Sequence, residues 1–241
     1  MNEWEPNVER QLRRDLAKFS RWLSRIGFTP GTAGNLSLRL DARRLLVTPT
    51  GVSKGLIRPS DMVIVDLEGR LLAGSRKVTS EIDMHVAVYH VREDVGAIVH
   101  AHPPMATAFA CSGRGLDQIL CQEAVMTVGV VPLATYATTG TGEVAASLLP
   151  LLPDHDAILL ENHGVVCCGQ TLPDAFMKME TVEHLAHLTL VAHQLGSARP
   201  LRPEQIQQLR SARRKYQENS QACSSDSETQ VQAAGAATIA T

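Results

Sequence analysis

Three histidines stand where short apolar segments of the chain end. His100 and His102 follow residues 95–99 in Val-His-Ala-His-Pro-Pro, and His163 follows residues 158–160 in Leu-Glu-Asn-His-Gly. Apolar runs of this length predict buried strands, and strand side chains alternate, so His100 and His102 should point to one side. Three imidazole nitrogens are a ligand set that zinc takes when one position stays open for chemistry. A His-x-His pair alone is equally typical of a structural site, but the rigid strand ends favour the metal site.

A possible catalytic carboxylate opens a helical pattern that runs from about residue 80 to 91. The pattern begins Thr79-Ser80-Glu81. A Ser or Thr at a helix start caps the backbone, and the free N–H groups there also attract phosphate. Glu81 in the first turn either interacts with the helix dipole or performs acid–base chemistry. His85 lies four residues further on the same helix face, where we expect it to pack or to support the site from behind rather than to ligate a metal.

Two glycine-containing turns suggest an anion site. They read Gly31-Thr-Ala-Gly-Asn-Leu-Ser37 and Thr48-Pro-Thr-Gly51, and neither is a Walker or Rossmann motif. Glycines let backbone N–H groups form an anion-binding nest, and the Asn, Ser and Thr side chains add neutral donors. Ordinary turn chemistry explains the same glycines equally well.

The length and composition of the chain limit the classes of function that it can have. The chain has 241 residues, of which 44% are hydrophobic, and this suits one large domain. The net charge of −2 predicts no face for nucleic acid or for an acidic membrane. No apolar run approaches the roughly 20 residues that span a bilayer, and the N-terminus lacks a secretory signal pattern, so we expect a cytoplasmic protein. Five cysteines without a disulfide or zinc-ribbon spacing suit a reduced compartment: Cys111, Cys121, Cys167, Cys168 and Cys223.

Mixed helical and strand patterns predict an α/β layered domain. Helices are predicted over 7–27, 80–91, 104–111, 173–195 and 203–216, and strands over 36–40, 45–48, 62–66, 95–99, 130–133, 158–160 and 165–168. Residues 219–241 are rich in Ser, Gln, Ala and Thr, so a disordered tail is expected after a catalytic domain over 1–218.

Six motifs occur in an order that resembles a known family. They are Gly-Thr-Ala-Gly-Asn-x-Ser, Thr-Pro-Thr-Gly, Ser-Glu opening a helix, Val-His-x-His, Tyr-Ala-Thr-x-Gly-Thr and His-Gly. Together they resemble the class II aldolase/adducin family, typified by the zinc-dependent L-fuculose-1-phosphate aldolases. The resemblance covers about residues 8–215. The family also contains pentulose-phosphate 4-epimerases, sugar-phosphate dehydratases and the adducin head domain.

The resemblance implies a three-layer α/β/α sandwich with a largely antiparallel central sheet, and a homotetramer with active sites at subunit interfaces. It implies a Zn2+ ion held by His100, His102 and His163, with Mn2+ or Co2+ as alternative metals. Glu81 would be the catalytic carboxylate and a fourth ligand in the empty enzyme. The substrate phosphate would be held by Asn35, Thr50, Gly51, Thr79 and Ser80.

The implied reaction is the reversible cleavage of a ketose 1-phosphate to dihydroxyacetone phosphate and an aldehyde, through a zinc-stabilised enediolate. Glu81 would move the proton on or off the dihydroxyacetone-phosphate carbon. The partner would be a small sugar phosphate, with no nucleic acid and no membrane. Neutral phosphate donors explain why the chain needs no basic patch.

This chain departs from the aldolase pattern at the aldehyde half of the site. Cys121 stands roughly where fuculose-phosphate aldolases carry a tyrosine that serves the neighbouring subunit. Glu123 either replaces that tyrosine as a catalytic proton donor or is an ordinary surface residue. Alternatives are a dehydratase or decarboxylase on the same zinc platform, then an epimerase, which would carry aspartate in place of Glu81, and last an adducin-like scaffold, which would lack the metal histidines.

Overall fold

The computed structural model describes residues 6–212. The expected tail over 219–241, the end of the helix expected over 203–216, and Cys223 lie outside the described residues. The helices are α1 (Pro6–Arg25), α2 (Ile82–Val91), α3 (Pro104–Cys111), α4 (Gln122–Thr127), α5 (Gly142–Leu148), α6 (Leu172–Gln194) and α7 (203–212). The strands are β1 (Asn35–Arg39), β2 (Arg44–Val47), β3 (Val63–Asp66), β4 (Leu71–Ala73), β5 (Ala97–Ala101), β6 (Leu133–Ala134), β7 (Ala157–Leu160) and β8 (Gly164–Gly169).

One eight-stranded sheet runs through the described residues in the order β4-β3-β2-β1-β5-β8-β7-β6. The expectation of a largely antiparallel sheet needs correction, because the sheet is mixed: β6 pairs with β7 in parallel, while the other neighbours are antiparallel. The chain between β6 and β7 contains α5, which supplies the helical crossover that a parallel pair requires. This crossover was not predicted from the sequence.

Helices cover both faces of the sheet, so the predicted three-layer α/β/α class is confirmed. Side chains alternate along β5: Val99 packs in a core with Phe176 of α6, and Ile98 packs in a separate core with Met84 of α2 and Leu148 of α5. The first core also contains residues of α1, α3 and α4. Polar groups that share the face of Ile98 therefore meet α2, and this placement builds the site described below.

The long helices agree with their sequence patterns to within a few residues. Thr171 caps α6 by accepting a hydrogen bond from the Asp174 N–H, and Pro173 occupies the first turn, where its missing N–H costs nothing. After α1, Gly27 adopts a positive φ of 83°, which ends the helix. Among residues 6–212, no helix combines the length and the apolar character needed to cross a bilayer.

Several strand boundaries differ from the predictions. Strand β5 continues through His100 to Ala101, so the histidine belongs to the strand rather than following it. The strand predicted over 130–133 shrinks to Leu133–Ala134, because Val131 instead forms an isolated bridge with Leu116. The missed strand β4, Leu-Leu-Ala, is exposed along its whole length, and three residues are too few to show the alternation of a strand. The four cysteines in this part of the chain are free thiols, two of them buried in β8.

Candidate metal centre and active site

The first histidine lies at the centre of the sheet. His100 pairs with Asn35 of β1 on one side and Val166 of β8 on the other, and its side chain is fully buried. Its Nδ1 lies 2.9 Å from the Val165 carbonyl oxygen. A carbonyl only accepts, so Nδ1 carries the hydrogen and Nε2 keeps the lone pair that a metal requires.

A tight turn between β7 and β8 positions His163, the predicted ligand at the end of the second strand. Asn162 adopts a φ of 56°, the left-handed conformation that Asn tolerates better than most residues. The His163 N–H then donates to the Leu160 carbonyl at 3.0 Å, which closes the turn and directs the chain into β8. The sequence Glu-Asn-His-Gly therefore fixes the backbone of His163.

The three predicted ligands meet in space. The ring nitrogens of His100, His102 and His163 lie within 4.8 Å of one another, and the Nε2 atoms of His100 and His102 are 3.1 Å apart. The ring centroids are separated by 4.7 to 5.0 Å. Residues remote in the chain thus form one cluster that could hold a metal ion.

Glu81 joins this cluster from the start of α2, where it is the N-cap residue. Its Oε2 lies 3.3 Å from His100 Nε2, and its Oε1 lies 3.2 Å from His163 Nε2. Tetrahedral coordination at about 2.05 Å would space neighbouring ligand atoms by about 3.3 Å. Among the described residues, the buried Oε1 has no hydrogen-bond partner. A cation satisfies both observations, so this set of residues fits a tetrahedral metal.

The electrostatics of the cluster favour a cation as well. Burial, together with His100, lowers the pKa of His102 to about 3 and that of His163 to about 4, so both rings are neutral near pH 7 and can bind a metal. Burial raises the pKa of Glu81, but the attraction of His100 and His163 and the hydrogen bond from Asn35 outweigh it and hold the pKa well below its usual value. A buried ionised carboxylate needs positive charge beside it.

Two glycines allow the backbone to approach the cluster. A Cβ on Gly34 would lie 2.8 Å from the His100 carbonyl oxygen, and a Cβ on Gly164 would lie 2.7 Å from both the Ala101 carbonyl oxygen and the His102 ring. These contacts are far inside ordinary packing distances. The glycines of Ala-Gly-Asn and His-Gly are therefore needed where they stand.

The predicted phosphate residues surround the start of α2. Pro49 forms a bridge with Val78, and the Thr50 N–H donates to the Lys77 carbonyl at 3.1 Å, so the 48–51 turn lies beside residues 77–80. Gly51 has open space around its Cα and a φ of 72°. Thr79 is buried and Ser80 is exposed.

Asn35 is already engaged by its neighbours. Its Nδ2 donates to Glu81 Oε2 at 2.7 Å, and its Oδ1 faces the His85 ring. One amide hydrogen of Asn35 stays available for a substrate. His85 is fully buried and forms no part of the three-histidine cluster, which agrees with the packing role expected for it.

Two residues near the site were missed in the sequence. Lys54 is 1% exposed, and its Nζ donates to the carbonyls of Thr32 and Val52, which joins the two glycine-containing turns. Burial lowers the pKa of Lys54 to about 8, opposed by the charge of Glu81. Glu183 of α6 accepts hydrogen bonds from the first free N–H groups of α3 at 3.0 and 2.8 Å, and so fixes the turn after His102. The one sequence feature that could have indicated Lys54 is its position as a single lysine among small turn residues. No sequence feature indicated Glu183.

Glu123 does not join the cluster within one chain. It is exposed in the first turn of α4, with Cys121 and His184 as neighbours, and Ala124 of the same helix packs in the core on the opposite face of the sheet from α2.

The chain matches known proteins over most of its length. The family model described as Class II Aldolase and Adducin N-terminal domain matches residues 14–190. The chain is 33% identical over 216 residues to the 5-methylthioribulose-1-phosphate/5-deoxyribulose-1-phosphate aldolase of Rhodospirillum rubrum, covering 90% of this chain and 97% of that protein. It is 36% identical over 200 residues to the 3-oxo-tetronate 4-phosphate decarboxylase of Escherichia coli, covering 81% and 92%. A solved L-fuculose 1-phosphate aldolase superposes with a TM-score of 0.79 at 32% identity, covering 84% of this chain and 95% of its own.

Proposed function

Because this chain belongs to the class II aldolase and adducin family, we propose that it is a metal-dependent aldolase that reversibly cleaves a ketose 1-phosphate to dihydroxyacetone phosphate and an aldehyde. The family membership confirms the resemblance carried by the six motifs and the expectation of a lyase, since the relatives are aldolases and other lyases. The substrate and the residue roles are the proposal.

The observation that carries this proposal is the convergence of His100, His102 and His163 on Glu81, whose buried Oε1 has no hydrogen-bond partner among the described residues. A scaffold protein would have no use for three imidazoles gathered around a buried carboxylate. The arrangement supplies a metal ligand set and a base in one buried place.

The three histidines would hold Zn2+, with Mn2+ and Co2+ as alternatives that the same nitrogen ligands accept. Such a cation supplies Lewis-acid stabilisation for negative charge that develops on the substrate's oxygens. The Val165 carbonyl holds His100 in the correct tautomer for this task.

Glu81 is the proposed acid–base residue. In cleavage, the C3–C4 bond breaks, its electron pair stays on C3, and a base at the aldehyde end of the site accepts the C4 hydroxyl proton as the aldehyde forms. Glu81 takes up a proton from solvent and passes it to C3, while the other base releases its proton to solvent, so no proton is gained or lost overall. In the condensation direction, Glu81 removes the proton from C3 and the other group protonates the aldehyde oxygen. Oε1 suits this transfer because Asn35 occupies only Oε2.

The phosphate end of the substrate would lie against the turns that meet at the start of α2. The candidate donors are Asn35, Thr50, Gly51, Thr79 and Ser80. Gly51 is exposed and has open space where a side chain would stand, and Lys54 places a buried cation behind both turns. These neutral donors and one buried charge suit a phosphate without an exposed basic patch.

The aldehyde end would require a neighbouring chain. We propose a homotetramer in the cytoplasm in which Glu123 of one copy protonates or orients the aldehyde half bound by another. The exposure of Glu123, remote from its own chain's metal cluster, supports this role. A single-copy mass by light scattering would rule out the shared site.

A decarboxylase is the second candidate, and the 36% identity to a 3-oxo-acid phosphate decarboxylase favours it. Loss of CO2 from a 3-oxo acid leaves an electron pair on the same carbon, so Glu81 and the three histidines would serve it equally well. The two reactions differ only in the fragment that leaves, which is an aldehyde in the aldolase reaction and CO2 in the decarboxylase reaction.

The test is a zinc-loaded assay of ketose 1-phosphates and 3-oxo-4-phosphate acids, in which dihydroxyacetone phosphate, aldehyde and CO2 are all measured. Metal-dependent release of an aldehyde with dihydroxyacetone phosphate is expected, and a chelator should abolish it. Release of CO2 together with dihydroxyacetone phosphate from a 3-oxo-4-phosphate acid, with no aldehyde released from any ketose 1-phosphate, would replace the aldolase with the decarboxylase. No product from any substrate would refute both.

A further inference from the structure

A chain of buried polar side chains leads from the interior of α2 to Glu81. Tyr89 Oη lies 2.9 Å from Ser37 Oγ, and Ser37 Oγ lies 2.7 Å from His85 Nδ1. His85 Nε2 contacts Asn35 Oδ1, and Asn35 Nδ2 lies 2.7 Å from Glu81 Oε2. The four residues behind Glu81 are each at most 4% exposed.

The polar side chains of β1 and α2 contact one another because the strand and helix repeats each place two of them on the facing side. Asn35 and Ser37 are two residues apart on β1 and share a face, and His85 and Tyr89 are four apart on α2 and share a face. Each member of one pair contacts the ring or hydroxyl of the other. Four polar groups of this kind buried in an apolar layer would be costly unless each formed a hydrogen bond with its neighbour.

The direction of every hydrogen bond follows from the carboxylate. Glu81 only accepts, so the Asn35 amide nitrogen must face it, and Asn35 Oδ1 must face His85. That oxygen also only accepts, so His85 Nε2 carries the hydrogen.

The rest of the network then has one arrangement. A neutral His85 ring leaves Nδ1 as an acceptor, so the Ser37 hydroxyl donates to it, and the Tyr89 hydroxyl donates to Ser37. Burial and the neighbouring His100 lower the pKa of His85 to about 3, although the negative charge of Glu81 acts in the opposite direction. The His85 ring is therefore neutral near pH 7. All the donors in the network therefore point toward Glu81.

We propose that His85 is a positioning residue of the active site: by holding Asn35 Oδ1, it keeps the amide nitrogen on Glu81 Oε2 and leaves Oε1 free to transfer a proton. This inference rests on the proposed function of Glu81. Without the His85 N–H, the Asn35 amide is free to turn its oxygen toward the Glu81 carboxylate. The two oxygens would repel each other, and the carboxylate plane of Glu81 would change.

The first test does not depend on activity. Neutron diffraction from a deuterium-exchanged crystal should show deuterium on His85 Nε2 and none on Nδ1, with the Ser37 hydroxyl directed at Nδ1. Deuterium on Nδ1, or on both ring nitrogens, would overturn the assignment.

The second test follows exchange of the C3 hydrogen of dihydroxyacetone phosphate with solvent deuterium, which reports proton transfer without C–C cleavage. His85→Leu should lower the exchange rate and kcat about 10–100-fold, while zinc content and KM stay near wild type. His85→Gln restores an N–H donor and should recover most of the rate.

Controls separate positioning from folding. His90→Leu makes the same replacement at an exposed site on the same helix and should exchange at the wild-type rate. If His85→Leu does not fold, Ser37→Ala serves instead: it removes the donor to His85 Nδ1, leaves the Tyr89 hydroxyl without its acceptor, and should slow exchange several-fold. Wild-type exchange in His85→Leu or, failing that, in Ser37→Ala would refute the inference. Absence of exchange in the wild-type enzyme would instead refute the proposed function.

Discussion

Replacing Gly164 by alanine should damage the metal centre without removing a ligand. An added Cβ would lie 2.7 Å from the Ala101 carbonyl oxygen and 2.7 Å from His102 Cδ2. Ordinary contacts begin near about 3.5 Å, so the shortfall is about 0.8 Å. Ala101 belongs to the central strand β5 and is fixed by pairing with β8. The His102 ring must therefore move by most of that distance.

The size of this movement sets the expected loss. Ligand groups need placement within about 0.5 Å, so we expect zinc affinity to fall about 10–100-fold, similar to the loss of an outer hydrogen-bond partner. Overpacking should also cost about 1–3 kcal/mol of unfolding free energy, which lowers the Tm by several degrees. Competition with a chromogenic zinc chelator measures the affinity, and differential scanning fluorimetry measures the Tm.

Gly142→Ala is the matched control. No neighbour lies within 4 Å of its added Cβ, and the position begins α5 without a positive φ. This variant should bind zinc normally and gain about 0.4–1 kcal/mol, because alanine restricts the unfolded chain. If Gly164→Ala matches Gly142→Ala in both affinity and Tm, the proposed crowding of His102 is wrong.

Further changes test the ligand set and the base. His100→Ala should lower zinc content and activity together, and normal zinc content by elemental analysis would exclude His100 as a ligand. Glu81→Gln should keep the metal but slow turnover by about 10²-fold or more, so an unimpaired kcat would remove Glu81 from the mechanism. Zinc at 100 times its Kd should stabilise the chain by about 2.7 kcal/mol, raising the Tm by roughly 5–10 °C over the chelated protein; an equal rise in His100→Ala would argue against this site. Acid should destabilise the metal-free protein. The pKa values of His85, His102 and His163 are about 3, 3 and 4 when folded, below their ordinary value of 6.5, so the unfolded chain binds more protons between about pH 6.5 and 4 and the Tm should fall across that window. A Tm that is flat from pH 7 to 4 would contradict these shifts.

The sequence was sufficient to predict the layered fold because burial imposes strong periods on its long elements. The apolar stripes of α1 and α6 and the continuous apolar runs of β7 and β8 each matched observed elements closely. The sheet direction at β6 was not predictable from the residues, since that strand is only two residues long and its parallel pairing depends on the α5 crossover.

The metal cluster was predictable for a different reason. Each histidine lies within or just beyond a buried strand, and such positions are rigid, so residue type and local pattern indicated the three histidines as candidate ligands. The contacts around Glu81 were not predictable, because they join β1 to α2 across a sequence separation of 46 residues. A buried Lys54 was equally hidden, since lysine in a turn is normally exposed.

The central position of β5 also determines when in folding the metal centre can exist. His100 and its hydrogen-bond partner Val165 are 65 residues apart, and Asn35 pairs with His100 from the other side. Both long loops must close before the ligands meet, so the apolar cores have to drive folding without help from an ion. Interactions that form after the rate-limiting step act on unfolding alone. A bound ion should therefore leave the folding rate almost unchanged and lengthen the lifetime of the folded chain.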